Sequence, residues 1–353
     1  MAQNDEPLIR VTLEDVEKVV LPSSIAAAAA APVAAPGARN YGNINAAEPA
    51  APVSAEERGS FLLQGWFYLG IAGLLGAVAA WGICEPAFVD GIGHRWGNTW
   101  MVPVVLMLML VGFAVAESIV ERSWRKAGIR LLLVVPLGFV FGFVFYGVAN
   151  VVFNIGLGII FSMGVQTERN PGFWIARGIA WMVFGVAGGL VYGIVGKSSK
   201  KGKYGVIGGL IGAGLGGVLF DPISLAVDNG TLSRAVGFAL LGLATGAAMG
   251  FVESALKDRW LYVSAGPLAG KQFILYKPLT TIGSQQQCDI YLFKDSSIAP
   301  QQATIELRGT QAYFRSITPV YVGGMPTQAK VLLSGESIQI GRYSFKYNER
   351  HRG

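Results

Sequence analysis

Groups able to do covalent or metal chemistry are scarce in this chain. Its 353 residues include two cysteines, Cys84 and Cys288, and two histidines, His94 and His351. Two cysteines at that separation build neither a zinc site nor a disulfide framework. With so few histidines, an imidazole-based site is nearly excluded. The segment GPLAGK (266–271) superficially resembles a phosphate loop, but it lacks the required spacing and falls between strand-like segments instead of ahead of a helix. No nucleophile stands beside a base, so no catalytic residue, cofactor or metal is expected, and function must rest on a binding surface.

The elements that would position such a surface are set by composition. The chain is 52% hydrophobic and 14% charged, where soluble domains carry about a quarter charged residues. The charge deficit is concentrated between residues 59 and 257. Six apolar runs there, roughly 60–83, 100–118, 129–150, 173–196, 204–220 and 235–256, have the length a helix needs to cross a ~30 Å hydrocarbon core. The apolar stretch 151–165 either extends the third helix or lies at the interface. The expected fold class is therefore an α-helical membrane bundle joined to a smaller C-terminal domain, with lipid as an obligatory partner.

Net charge is +6, from 28 Lys and Arg against 22 Asp and Glu. The cations concentrate in two short loops. One holds Arg122, Arg125, Lys126 and Arg130, and the other Lys197, Lys200, Lys201 and Lys203. The positive-inside rule places both loops in the cytoplasm, and six crossings then place both termini there. With the positive charge explained by orientation, nucleic acid is not an expected partner. The opening residues, MAQNDEPLIR, are polar and acidic, so no secretory leader is expected. Residues 1–24 form a tail in which Thr12 and Asp15 resemble a capping box. Residues 25–58 are an Ala/Pro-rich linker.

The apolar body carries internal repetition. Arg177 is followed by Gly185, Gly189 and Gly193, and Arg234 at the same offsets by Gly242, Gly246 and Gly250. ESIVERSW (117–124) matches ESALKDRW (253–260) in Glu, Ser and Trp. Three parallel helical hairpins, roughly 59–127, 128–200 and 201–259, are expected. Gly138 and Gly142, and Gly208, Gly212 and Gly216, extend the four-residue glycine spacing to two further helices. Four residues return to nearly the same helical face, so each stripe is a groove that a neighbouring backbone can enter. Such glycine zippers pack the bundle internally, drive association with a second copy, or line a pore. The shortage of ionisable groups inside the runs disfavours a pore. Gln64, Glu85, Asn150, Asn154 and Asp221 stand mostly near helix ends, and Glu85 and Asp221 each precede a proline.

From Trp260 onward the pattern changes. LYVSA, KQFILY, TTIG, DIYLF, ATIEL, AYFRSI, KVLL, ESIQIG and SFKYN read as short strands separated by turn formers, the signature of a β-sandwich over residues 258–353. Gly266 and Gly270 flank the first turn. They are followed in order by TTIGS (280–284), CDIYLFKDSSI (288–298), APQQATIEL (299–307) and LLSGESIQIGRYSFKY (332–347). Over about 90 residues this series resembles the forkhead-associated (FHA) family of phosphothreonine-binding domains. The resemblance implies an all-β sandwich that recruits protein partners in bacterial signalling or membrane-complex assembly, here beneath a bacterial inner membrane.

The resemblance also locates departures. The family's phosphate-binding arginine falls on Ser284, its phosphate-binding serine on Ala299, and its structural histidine on Gln302. The loop VYVGGMP (320–326), with Gly323 and Gly324, lacks the family's asparagine-glycine and looks shortened. Charge-assisted hydrogen bonds are worth about 1.5–3 kcal/mol each. Losing both phosphate contacts, on the order of 3–5 kcal/mol, weakens binding roughly a hundredfold or more. The donors Ser284, Gln285, Gln286, Ser296 and Ser297 remain able to read an unphosphorylated peptide. The expected function is a non-enzymatic membrane scaffold presenting a degenerate FHA-like domain to protein partners. The alternative is a channel or transporter regulated by that domain.

Overall fold

The computed structural model describes residues 61–90, 95–165, 169–227 and 229–350. The expected tail and linker, His94 and His351 lie outside these residues. Six helices are long and apolar enough to span a membrane. They are α1 (Gly65–Cys84), α2 (Trp96–Val120), α3 (Trp124–Ser162), α4 (Pro171–Val195), α5 (Ser199–Ala226) and α6 (Gly230–Leu256). The open question over 151–165 is resolved by α3, which continues as helix to Ser162. Its 39 residues extend about 58 Å, well beyond the ~30 Å core. Asn150 and Asn154 donate to carbonyl oxygens one turn earlier, of Tyr146 and Asn150 respectively. Asn150 also lines a cavity of about 480 Å³ together with Asn98, Arg177 and Arg234.

The α2–α3 and α4–α5 connections share one design. Each has a residue in the left-handed region, Arg122 (φ 52°) or Lys197 (φ 50°). Each is followed by a serine N-cap, Ser123 accepting from Lys126 N–H and Ser198 from Lys201 N–H. The cap satisfies an N–H group that the helix start leaves free.

Each helix packs on the next and α6 returns to α1, closing a six-membered ring. The glycine stripes set the approach. A Cβ on Gly185, Gly189 or Gly193 of α4 would overlap the backbone of α5. A Cβ on Gly242, Gly246 or Gly250 of α6 would overlap that of α1 at Gly73, Leu69 and Gly65. Gly208 and Gly212 meet α6 with hypothetical Cβ contacts to the backbone of Met249 and Thr245, and Gly216 meets Leu241. Gly138 and Gly142 face Met107 and Pro103 of α2 more loosely, at 3.2 and 2.9 Å. All eleven stripe glycines thus face a neighbouring helix of the same chain.

The two arginines of the repeated pattern make corresponding ion pairs. Arg177 reaches Asp221 at the end of α5 (2.8 Å), and Arg234 reaches Glu85 at the end of α1 (2.6 Å) and Asp90 (2.6 Å). Glu85 and Asp221 are therefore paired inter-helical residues as well as helix-end residues. Along the ring axis, Leu106, Leu110 and Phe113 of α2 meet Trp181 and Phe184 of α4 and Phe238 and Leu241 of α6. The void left between them is about 30 Å³, room for about one water.

The C-terminal region folds into nine strands: β1 (Arg259–Ala265), β2 (Gln272–Ile274), β3 (Leu279–Gly283), β4 (Ile290–Tyr291), β5 (Ala303–Arg308), β6 (Gln311–Val322), β7 (Met325–Leu332), β8 (Ser337–Ile340) and β9 (Tyr343–Glu349). Each segment read as a strand contains one. All are hydrogen-bonded in the order β2-β1-β9-β8-β6-β5-β3-β4, with β7 also on β6. The two layers of a sandwich are joined here because β6 is twelve residues long. It pairs with β5 over its first half and with β8 at Tyr321 and Val322, with a register shift between Arg315 and Val320. The folded sheet encloses Leu261, Ile282, Ile305, Phe314, Ile338 and Phe345, all at most 1% exposed.

The close approach of α6 to α1 makes a direct prediction. Gly246→Leu forces the two backbones apart, and overpacking costs at least ~1–3 kcal/mol. Gly82, with nothing within 4 Å of an added Cβ, tolerates the same change. Thermal stability of the detergent-solubilised chain should fall sharply for the first variant and stay near wild type for the second; equal melting of the two would refute the zipper geometry.

Candidate interaction site

The positions singled out by the FHA resemblance gather where the β3–β4 turn meets the segment leading into β5. Ser284 N–H donates to the Ala299 carbonyl and Gln285 N–H to that of Pro300, both at 3.1 Å. Gly283 is required there, because a Cβ would overlap the Pro300 carbonyl. Gln302 is 3% exposed and fully engaged. Its Oε1 accepts from Ala299 N–H (3.0 Å), and its Nε2 donates to Ser316 Oγ (3.1 Å) and Thr318 Oγ1 (2.7 Å). An amide supplies acceptor and donor on one planar group, so Gln302 ties the 299–302 segment to β6.

The turn has a second lock. Asp289 accepts from Thr281 N–H (2.9 Å), Thr281 Oγ1 (3.0 Å) and Lys277 Nζ (2.6 Å). Burial pushes its carboxyl up, but the bonds from Lys277 and Thr281 outweigh this and hold it below its ordinary value. Ser296 and Ser297 occupy an adjacent turn organised by Asp295, which accepts from Ser297 N–H (3.0 Å) and Oγ (2.6 Å) and from Arg342 N–H (2.9 Å). Gly323 and Gly324 (φ 60° and 82°) form the β6–β7 turn. That turn bonds to Ser337 of β8, and no hydrogen bond among the described residues links it to the Ser284–Gln302 group.

One candidate residue touches the bundle. Gln286 Oε1 accepts from Arg125 N–H (3.3 Å), Lys126 Nζ donates to the Asp289 carbonyl (2.8 Å), and the Arg122 guanidinium lies 5.4 Å from the Phe293 ring. Lys200 reaches Asp258 (3.3 Å), and Arg350 donates to the Ala255 carbonyl (2.5 Å). Both basic loops therefore lie at the end of the bundle that carries the β-domain.

Beneath this seat is a polar knot that the sequence reading missed. Glu117 of α2 accepts from Lys201 of α5 (2.5 Å) and from the Tyr192 hydroxyl of α4, and it lies 3.6 Å from Arg130 of α3. Glu121 pairs with Arg130 (3.1 Å) and Lys126 (3.3 Å). Glu253 of α6 accepts from the hydroxyl of Tyr276, a β-domain residue. Burial would raise the Glu121 carboxyl, but Arg130 and Lys126 bring it down to about 2. Burial depresses the Lys271 ammonium to about 8 against the pull of Glu121 and Glu117. The matching ES motifs at Glu117 and Glu253 were the available signal. In sequence they mark only the repeat, and only the fold brings both carboxylates to one cavity. No group of three or more His, Cys, Asp or Glu side chains that could hold a metal ion occurs among the described residues.

The fold and site define an all-β domain of the kind the FHA resemblance implies, seated on one end of a ring of six apolar helices. No family model matches the chain. Among curated proteins it is similar to the oxoglutarate dehydrogenase inhibitor of Corynebacterium diphtheriae, 34% identical over 97 residues that make up 26% of this chain and 66% of that protein. It is also similar to the glycogen accumulation regulator GarA of Mycolicibacterium smegmatis, 33% identical over 86 residues, or 24% and 54% of the two chains. The chain spans between half and two thirds of the length of these relatives. Among solved structures, the FHA domain of the CT664 protein from Chlamydia trachomatis covers 27% of this chain and all of that one, at 24% identity and a TM-score of 0.25.

Two predictions follow from the knot. Removing one member of a buried pair strands the other, at about 3–5 kcal/mol. Glu117→Gln or Lys201→Met alone should therefore lower the melting temperature strongly, and the double variant by less than the sum; strict additivity would contradict the pairing. Because Glu121 is depressed in the folded chain, its contribution is present above its unfolded value near 4.3 and is lost as pH falls toward about 2. Acidification from pH 6 to pH 3 should destabilise the wild type more than Glu121→Gln.

Proposed function

We propose that this chain is a non-enzymatic membrane scaffold whose β-domain recruits protein partners at the cytoplasmic face without reading phosphate. The observation that carries this reading is the state of the Ser284–Ala299–Gln302 group. Its backbone is held by a closed hydrogen-bond network, while Ser284 supplies no guanidinium and Ala299 no hydroxyl where the resemblance places the two phosphate-binding groups. The platform keeps its shape and presents Gln285, Ser296 and Ser297, all exposed, as neutral hydrogen-bonding groups. The similar proteins named as an inhibitor of oxoglutarate dehydrogenase and a regulator of glycogen accumulation favour a binding role over a catalytic one. The juxtaposition of both basic loops with the β-domain supports a cytoplasmic location, by the positive-inside rule. The middle of the bundle axis is filled by apolar side chains, which close off the cavity of about 480 Å³ lined by Arg177 and Arg234 and give no support to the channel alternative.

The full chain, displayed in nanodiscs against a phosphothreonine peptide library, should show no phosphate-dependent retention. Micromolar binding that requires the phosphate and is abolished by Ser284→Ala would overturn the reading. In native membranes, a photo-cross-linker at Ser297 should capture defined proteins equally before and after phosphatase treatment. Loss of capture on dephosphorylation, or selective solute flux in proteoliposomes, would count against it.

A further inference from the structure

A cavity of about 710 Å³ separates the bundle from the β-domain. Six cationic side chains line it against four carboxylates. Most of these charges are matched within the chain: Arg130 and Lys126 with Glu121, Lys201 with Glu117, and Lys277 with Asp289, while Glu253 holds the Tyr276 hydroxyl. Of the remaining two, Lys197 is exposed at the rim, and Lys271 is the buried exception. It projects from the β1–β2 connection, is 7% exposed, and has no carboxylate within 4 Å among the described residues. Its ammonium lies 4.6 Å from the Phe273 ring. A buried ammonium with no carboxylate in contact is costly, and a cavity with surplus positive charge beside it has room for an anion in contact.

We propose that this cavity binds a phosphate group, with Lys271 as its principal cation and the Tyr68 hydroxyl, which also lines the cavity, as a further donor. The Tyr68 hydroxyl has no hydrogen-bond partner among the described residues. Phosphate offers several acceptor oxygens to such donors and gains most where water is excluded. The same cavity is lined by Ile129 of α3 and Phe251 of α6, which are 51% and 65% exposed on the apolar bundle. That apolar border lets a phospholipid insert its headgroup while its acyl chains stay beside the helices, as in basic pockets between membrane helices. Free inorganic phosphate satisfies the same chemistry. Since Lys271 belongs to the β-domain and Tyr68 to α1, the bound anion would bridge the two parts of the chain.

The test uses the full chain, delipidated in neutral detergent and examined by native mass spectrometry and thermal melting. Phosphatidylglycerol should be retained at one per chain under activation that strips a diacylglycerol with the same acyl chains. Lys271→Met should weaken retention at least tenfold, and Lys271→Arg should keep it. Stabilisation by inorganic phosphate as well assigns the site to the free anion, and stabilisation by the lipid alone assigns it to the headgroup; both support a phosphate site. Equal retention of phosphatidylglycerol and diacylglycerol by the wild type, with no shift from inorganic phosphate, overturns the proposal even if Lys271→Met fails to fold. Wild-type retention by a folded Lys271→Met overturns it as well.

Discussion

A carboxylate buried at the end of an apolar helical bundle must find cations, and Glu117 finds them on other helices. Its contacts with Lys201, Arg130 and Tyr192 draw α5, α3 and α4 toward α2 at one end of the bundle. In the proposed membrane setting, apolar burial cannot order helices against one another. The arrangement therefore depends on close backbone packing along the glycine stripes and on a few ionic ties at the ends. Arg177–Asp221 and Arg234–Glu85 provide those ties at the other end. The knot around Glu117 does more, because its neighbours Lys126 and Glu253 also hold the β-domain through the Asp289 carbonyl and Tyr276.

The seat bears on what the β-domain can present. The β3–β4 turn is stiffened from within by Gln302 and Asp289 and contacted from below by Arg125 and Lys126. Ser296 and Ser297 stand on a separate turn, fixed by Asp295. A partner thus meets loops with little freedom to lose on binding, which lowers the cost of association. Under the proposed function, replacing a phosphate grip by neutral donors changes what is read without removing the frame that holds it.

Much of this was legible in the sequence because it is periodic. Glycines four residues apart mark a helical groove wherever they occur, and alternating β-branched and aromatic residues mark strands. The helix count and the nine strands follow from such local patterns, as does the correspondence of the Arg177 and Arg234 segments. What periodicity does not specify is partnership. Nothing local says that the Gly246 stripe faces α1 and closes the ring, or that β6 is long enough to join both layers of the sandwich. Glu85 and Asp221 read as helix ends because their arginine partners are 149 and 44 residues away in the chain. The cavity was illegible for the same reason: Tyr68, Glu117, Lys201, Glu253 and Lys271 come from five elements, and only packing collects them.

The central claim is that the β-domain is seated rigidly on the bundle through this polar junction. Double electron–electron resonance tests it most directly, with spin labels on cysteines introduced at Lys197 and Gln301, both exposed, since the native Cys84 and Cys288 are buried. In nanodiscs the account predicts a single narrow distance distribution for the wild-type background, broadened when Lys126 and Tyr276 are replaced by Ala and Phe. A broad distribution in the wild-type background, unaffected by those replacements, would show a tethered domain and contradict the account.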